Sequence, residues 1–323
     1  MEDSYGREIN YMRLSITDRC NFRCQYCMPE EGVRKIPHEE IISFENIVKL
    51  VRAGSNLGIE KIRLTGGEPL TRTGVPSLVR MIHDVDGIDE ISMTTNGARL
   101  SDLAPDLARS GLDRVNVSLD AVDPGVFSKI TRLGNIEDVV EGIREAKRAG
   151  LSPVKLNAVI VRGLNESEIL PLIDFAVDNR LTLRFIELMP MGEAAGDSLE
   201  GVPIDGVMET VKRQWTLSPF DGPKGNGPAT YYRVKDGERE GTIGFIFPMS
   251  KRFCRGCNRI RMTSRGTIRP CLARDKEYPL DISDETSVSE IEGRLAEIIR
   301  KKPYEHEWEE NRSTSGEMSE IGG

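Results

Sequence analysis

Six cysteines fall into two tight groups: Cys20, Cys24 and Cys27 early in the chain, and Cys254, Cys257 and Cys271 late in it. Secreted disulfide frameworks spread their cysteines along a sequence, whereas clustered thiols in a reducing compartment point to metal. Each group offers three thiolates, one fewer than a closed zinc site or a fully ligated four-iron cluster uses. A [4Fe–4S] cube on three cysteines leaves one iron open to a cofactor or substrate. A zinc knuckle with a remote fourth ligand competes for the first group, and a zinc ribbon for the second. A ribbon's second half is another Cys-x2-Cys pair, but here a lone Cys271 follows.

The first spacing, Cys-x3-Cys-x2-Cys with Tyr26 before the last cysteine, lies just past a predicted strand. The amino and carboxylate groups of S-adenosylmethionine can chelate an open iron, and one electron then cleaves the sulfonium to a 5′-deoxyadenosyl radical. Gly66-Gly67-Glu68-Pro69 follows the next strand. Taken alone it is only a strand-to-helix turn. Around the second group, positions 251–274 hold eight Lys or Arg and no Asp or Glu, in a chain of net charge −8. Cluster thiolates account for part of this reversal, and a polyanion such as a triphosphate suits the remainder. Arg259 and Arg261, two apart, share one face of a strand. A nucleic-acid surface is another use of a basic run, but Phe253 is its sole aromatic residue.

These groups need a scaffold, and alternating runs supply one. Strands are predicted over 12–17, 59–65, 90–95, 114–119, 153–159 and 181–188, with helices over 44–57, 75–83, 103–109, 136–149 and 166–179. Gly111 and Gly150 stand where helix C-caps belong, and Ser43 or Asn165 could supply N-caps. Strands alternating with helices imply a parallel sheet with right-handed crossovers. Periodicity alone leaves an open doubly wound sheet and a partial barrel both standing. Beyond 190 the pattern changes to a loop over 191–203, a helix over 204–215, a Gly-rich loop over 219–228 and a hairpin around Asp236-Gly237. A helix over 287–302 precedes an irregular acidic tail.

A chain of 323 residues with 38% hydrophobic and 30% charged residues can bury a core without disulfides. It shows no signal peptide and no apolar run long enough to span a membrane, so a cytoplasmic protein is expected. Its acidic total argues against nucleic-acid or membrane-surface partners.

The order and spacing of several short pieces resemble the radical-SAM superfamily and, within it, the GTP 3′,8-cyclase family of molybdenum cofactor biosynthesis. The pieces are 13–21 (RLSITDRCN), 63–69 (RLTGGEP), 94–97 (TTNG), 118–120 (SLD), 155–157 (KLN), 187–190 (ELMP), 253–261 and the final Gly322-Gly323. The likeness covers nearly the whole chain. It implies an α/β fold, a partial (β/α)6 TIM-type radical-SAM barrel over 1–190, with a C-terminal auxiliary-cluster extension over 191–323. It implies two [4Fe–4S] clusters, on Cys20, Cys24 and Cys27 and on Cys254, Cys257 and Cys271, the second meeting the guanine edge of GTP. Tyr26, Gly67, Ser118 and Met189 would line the S-adenosylmethionine site. Arg13, Arg63, Thr94, Lys155, Arg259, Ile260 and Arg261 would surround GTP. Arg259 and Arg261 would act in catalysis with Gly322 and Gly323, whose bare backbone can thread close to a ligand. The resemblance also implies a flavodoxin- or ferredoxin-like electron donor and a downstream cyclic pyranopterin monophosphate synthase, and it leaves room for a homodimer.

The residues have plainer uses too. Met189 suits core packing, Ser118 and Thr94 suit turns, and Lys155 and Arg63 suit solvated charge. His38, His83, His306, Trp215 and Trp308 receive no functional role. A peptide-modifying radical enzyme would carry more C-terminal cysteines, and a two-cluster electron carrier would ligate its clusters fully.

Overall fold

Alternating runs become strands because one face packs under helices while the other turns inward. The structure, a computed structural model, describes residues 1–196, 198–222, 227–306, 308 and 318–322. The first half runs β1 (Tyr11–Ser15), α1 (Phe44–Asn56), β2 (Lys61–Thr65), α2 (Val75–His83), β3 (Glu90–Thr95), α3 (Leu100–Arg109) and β4 (Arg114–Ser118). It continues with α4 (Pro124–Thr131), α5 (Ile136–Arg148), β5 (Lys155–Val159), α6 (Ile169–Asp178) and β6 (Thr182–Ile186). All six expected strands form. Helix α4 was not expected, although Asp123 caps it by accepting from the Val126 N–H and Pro124 opens its first turn.

Strands β1 to β6 lie side by side in chain order, all parallel. A doubly wound sheet would reverse direction partway across. Consecutive order with same-handed crossovers puts every helix on one face, so the sheet curls about the other. This is a partial barrel, and it stays open because its outermost strands do not meet.

The second half adds strands to both edges of the same sheet. Helix α7 (Ile204–Val211) stops short of the expected 215, and β7 (Thr216–Pro219), β8 (Thr230–Asp236) and β9 (Arg239–Ile246) follow. The expected hairpin is β8–β9, turning at Gly237, and β9 joins β6 in parallel. At the other edge, β10 (Arg259–Met262) joins β1 in parallel, followed by antiparallel β11 (Thr267–Arg269) and β12 (Tyr278–Pro279). Helix α8 (Val288–Arg300) starts at a capping box between Ser287 and Glu290. The tail is not wholly irregular as expected. It contains α9 (Met318–Ile321), which packs against β1 with Ile321 buried. Four residues carry too little periodicity to betray a helix.

Alternation sorts the faces. Met12, Leu14, Ile62, Leu64, Leu183, Phe185, Ile260 and Met262 point outward into one apolar core beneath the helices. Their neighbours in sequence point into the lumen. Ser43 caps α1 as expected, through the Asn46 N–H. Asn165 does not cap a helix. Its side chain accepts from the Val161 N–H and donates to the carbonyls of Asp120 and Val159, tying the ends of β4 and β5 together. Replacing Asn165 with Ala strands these buried groups. The apoprotein should lose about 2–4 kcal/mol of stability in urea unfolding, whereas a loss under about 0.5 kcal/mol would show that the crosslink is dispensable.

Candidate active site

The first cysteine loop leaves the C-terminal end of β1, where barrel enzymes place their chemistry. Glu68 ties that loop's neighbours together. Its carboxylate accepts from the Leu70 N–H at 3.0 Å, the Thr95 hydroxyl at 2.7 Å and the Asn96 N–H at 2.6 Å. Asn96 in turn donates to Asn21 Oδ1 at 2.8 Å, next to Cys20. The Gly-Gly turn packs directly on the cysteine loop. A Cβ on Gly67 would lie 2.4 Å from the Arg19 carbonyl oxygen, so only glycine fits there.

Burial dominates the electrostatics at this end. It lifts Glu68 to about 7 against its three donors, and Cys20 to about 11. Cys24 is pushed well up, by burial first and then by Cys27 and Asp120. Bound positive charge reverses that bias, so three half-buried thiols here suit a metal cluster. The Tyr26 hydroxyl donates to Asp120 Oδ2 at 2.5 Å, and Asp120 Oδ1 accepts from the Val159 N–H at 2.8 Å. Ser118 closes β4 beside them, in register with Asn157 on β5.

The lumen is cationic. Arg261, Arg13, Arg63, Ser92 and Arg114 form one register row across β10, β1, β2, β3 and β4. Lys155 and Arg184 extend the cationic face on β5 and β6, and Arg259 lies opposite Tyr11. Burial, reinforced by Arg259, lowers Arg261 to about 10. Burial lowers Arg184 to about 10, with Arg63 and Arg114 adding to the effect. Burial, with Arg184 and Arg114, lowers Lys155 to about 8. Among the described residues, Nε and Nη2 of Arg184 and Nε of Arg259 are buried without a hydrogen-bond partner. Orphaned guanidinium donors facing one lumen suit a polyanion.

The second triad lies at the opposite end. Cys257 precedes β10, which runs parallel to β1, and Cys271 follows antiparallel β11. Both therefore sit at the strands' N-terminal end. Cys254, Cys257 and Cys271 line a cavity of about 90 Å³, against the roughly 10–15 Å³ that one water needs. Three thiols ringing a chamber of this size could hold a metal group. Burial alone would raise Cys257, but Lys302 and Arg259 outweigh it and bring the thiol down to about 7.

Most of the expected site residues gather. Arg13, Arg63, Thr94, Lys155, Arg259 and Arg261 share the lumen, with Arg63 Nη1 donating to Thr94 Oγ1 at 3.4 Å. Ile260 does not join them, because its side chain is buried in the outer core. Met189 lines the second triad's chamber. The Gly322 carbonyl accepts from Arg261 Nη1 at 2.6 Å inside the barrel, and Gly323 lies outside the described residues. His306 and Trp308, expected to be inert, also line the second chamber. Sequence reading missed Arg184, Tyr11, Asp120 and Lys302. Arg184 is the one basic residue in the otherwise mostly apolar strand 181–188, beside a single acidic residue, Glu187. Tyr11, which accepts from Arg63 Nε and is pulled to about 8 by Arg63 and Arg13 against its burial, lay one residue before the expected strand.

Asp120 gives a pH test. Burial raises it from 3.8 to about 6. A carboxyl raised in the fold favours folding while protonated, so its contribution is full below about pH 4 and lost as pH rises through 6. Asn stays neutral. The stability of Asp120→Asn relative to wild-type apoprotein should rise by about 1–3 kcal/mol between about pH 4 and pH 7 in urea melts. A pH-independent difference would contradict this assignment.

Comparison with known proteins agrees with this geometry. Residues 14–176 match the radical SAM superfamily model, and residues 181–308 match the Molybdenum Cofactor Synthesis C model. The GTP 3′,8-cyclase of Pelotomaculum thermopropionicum is 47% identical over the full length of both chains, and that of Moorella thermoacetica is 46% identical, also over both full lengths. Among solved structures, Streptococcus suis SuiB bound to S-adenosylmethionine superposes with a TM-score of 0.56 at 16% identity, over 82% of this chain and 61% of that one. That likeness supports the fold alone. With sequence identity this high across its whole length, the chain belongs to the GTP 3′,8-cyclase family of the radical SAM superfamily.

Proposed function

We propose that the chain cyclises GTP to (8S)-3′,8-cyclo-7,8-dihydroguanosine 5′-triphosphate, the first step of molybdenum cofactor biosynthesis. The observation that carries this reading is a cationic lumen with a cysteine triad at each end. A five-residue strand spans about 16 Å, so the two triads are separated by roughly the length of the lumen.

In this reading Cys20, Cys24 and Cys27 hold a [4Fe–4S] cluster, with S-adenosylmethionine beside Tyr26, Gly67 and Ser118, while Met189, on the second triad's chamber, lies away from it. Cys254, Cys257 and Cys271 hold the second cluster, at the guanine end. Bound there, these cofactors supply the one-electron chemistry that removes hydrogen from ribose C3′. The protein's own work is positional. Arg13, Arg63, Lys155 and Arg184 grip phosphate oxygens, with Thr94 orienting Arg63. Arg259 and Arg261 brace the nucleotide from β10. Pinning both ends bends the nucleotide until C8 meets C3′, and that placement is the largest contribution a scaffold can make. The tail, with Gly322 hydrogen-bonded to Arg261, closes the lumen against water.

The barrel over 1–190 carries the radical chemistry in this reading, and the extension over 191–323 carries the second cluster. A flavodoxin- or ferredoxin-like protein supplies electrons, a cyclic pyranopterin monophosphate synthase takes the product, and the setting is cytoplasmic. Among the described residues no helix is long and apolar enough to cross a membrane.

Anaerobically reconstituted protein given GTP and S-adenosylmethionine tests the activity. GTP should disappear only when the cofactor is present, with one 5′-deoxyadenosine formed per GTP. Persistence of GTP would refute the assignment. The double variant Arg259→Ala, Arg261→Ala should keep its iron and raise KM for GTP by roughly ten- to a hundredfold. An unchanged KM would remove both arginines from the site.

A further inference from the structure

Lys302 lies just past the C-terminal end of α8 and is only 3% exposed. Burying an ammonium is costly unless its donors are used. Here two of its three donors have backbone partners. Nζ donates to the Arg259 carbonyl at 2.8 Å and to the Pro270 carbonyl at 2.6 Å. Lys302 also lines the same chamber as Cys254, Cys257 and Cys271, and its charge lowers the Cys257 thiol.

The choice of partners is specific. Arg259 opens β10 two residues after Cys257, and Pro270 immediately precedes Cys271. One cation therefore joins the two segments that carry two of the three ligands, on the chamber those ligands line. The first triad is built differently. There Cys20 Sγ accepts from the Phe22 N–H at 3.4 Å, an uncharged donor.

We propose that Lys302 is a positioning residue of the second cluster, one that fixes Cys257 and Cys271 relative to each other and raises that cluster's reduction potential through its buried charge. The inference rests on the two-cluster reading above. Reduction adds negative charge to a cluster, and a desolvated cation beside the ligating sulfurs stabilises the reduced form more than the oxidised form. Two sites with the same number of cysteines thereby acquire different potentials, and the more easily reduced one lies at the β10 end of the lumen.

The test is an EPR-monitored redox titration, with iron counts, of full-length anaerobically reconstituted protein. Wild type is compared with Lys302→Met, which keeps the length and removes the charge, and with Lys302→Arg, which keeps the charge. A parallel set with Cys20, Cys24 and Cys27 replaced by Ala isolates the second cluster's signal. Wild type should hold about eight irons per chain. In Lys302→Met the second midpoint should move to more negative potential while the first stays put, and Lys302→Arg should restore most of the shift. Selective loss of the second cluster in Lys302→Met, regained in Lys302→Arg, would equally support the role. Both clusters at wild-type potentials in Lys302→Met would overturn it. A wild-type chain holding only about four irons would overturn the two-cluster reading itself, and is recognised before any variant is compared.

Discussion

Like charges packed side by side on the concave face of one sheet repel, and the rest of this molecule keeps them there. Arg13, Arg63, Lys155, Arg184, Arg259 and Arg261 enter the lumen because every second residue of a strand faces inward. The residues between them, such as Met12, Ile62, Leu183 and Ile260, bury the opposite face under the helices. Slipping any of these strands by one residue would put arginine into the apolar core, so the core fixes the register that concentrates the charge. Burial depresses Lys155, Arg184 and Arg261 and pushes Arg13 well down, so the lumen holds its cations at a cost. A bound anion would relieve that cost.

The ends of the lumen are built by different means. At the C-terminal end of the strands, Glu68 joins the turns after β2 and β3 to each other, and Asn96 carries that link to the first cysteine loop. At the N-terminal end, the chain's own termini do the work. Arg7, in a buried ion pair with Asp3, donates to the carbonyls of Cys254, Pro303 and Tyr304. Lys302 closes the same site from the other side. Gly322, near the end of the chain, accepts from Arg261 inside the barrel. Residues far apart in sequence therefore brace the second site, although its three cysteines lie within one short stretch.

How much of this the sequence discloses depends on whether the signal is local. Alternation revealed β1 to β6 because each spans several residues of strict pattern, and the two triads stood out because thiols cluster for few reasons. Of β10 to β12, only β10 was anticipated, through the spacing of Arg259 and Arg261, since two or three residues carry no readable alternation in β11 and β12. The choice between an open sheet and a partial barrel depended on strand order, which no single segment encodes. Asn165 looked like a helix cap and instead bridges two strand ends, because an amide that suits a cap equally suits a turn. Lys302 and Arg7 could not be singled out at all. One more charge near a helix end or a chain terminus is ordinary until the fold buries it against a distant cysteine.

The central claim is that the lumen's cations grip a triphosphate between the two cysteine sites. Calorimetric titration of the reconstituted enzyme, without S-adenosylmethionine, with GTP and with guanosine measures this directly. GTP should bind at least roughly a hundredfold more tightly, about 2.7 kcal/mol, as one or two contacts to charged donors supply. Equal affinity for nucleotide and nucleoside would mean that the arginine rows do not hold phosphate, and the account would fail at its foundation.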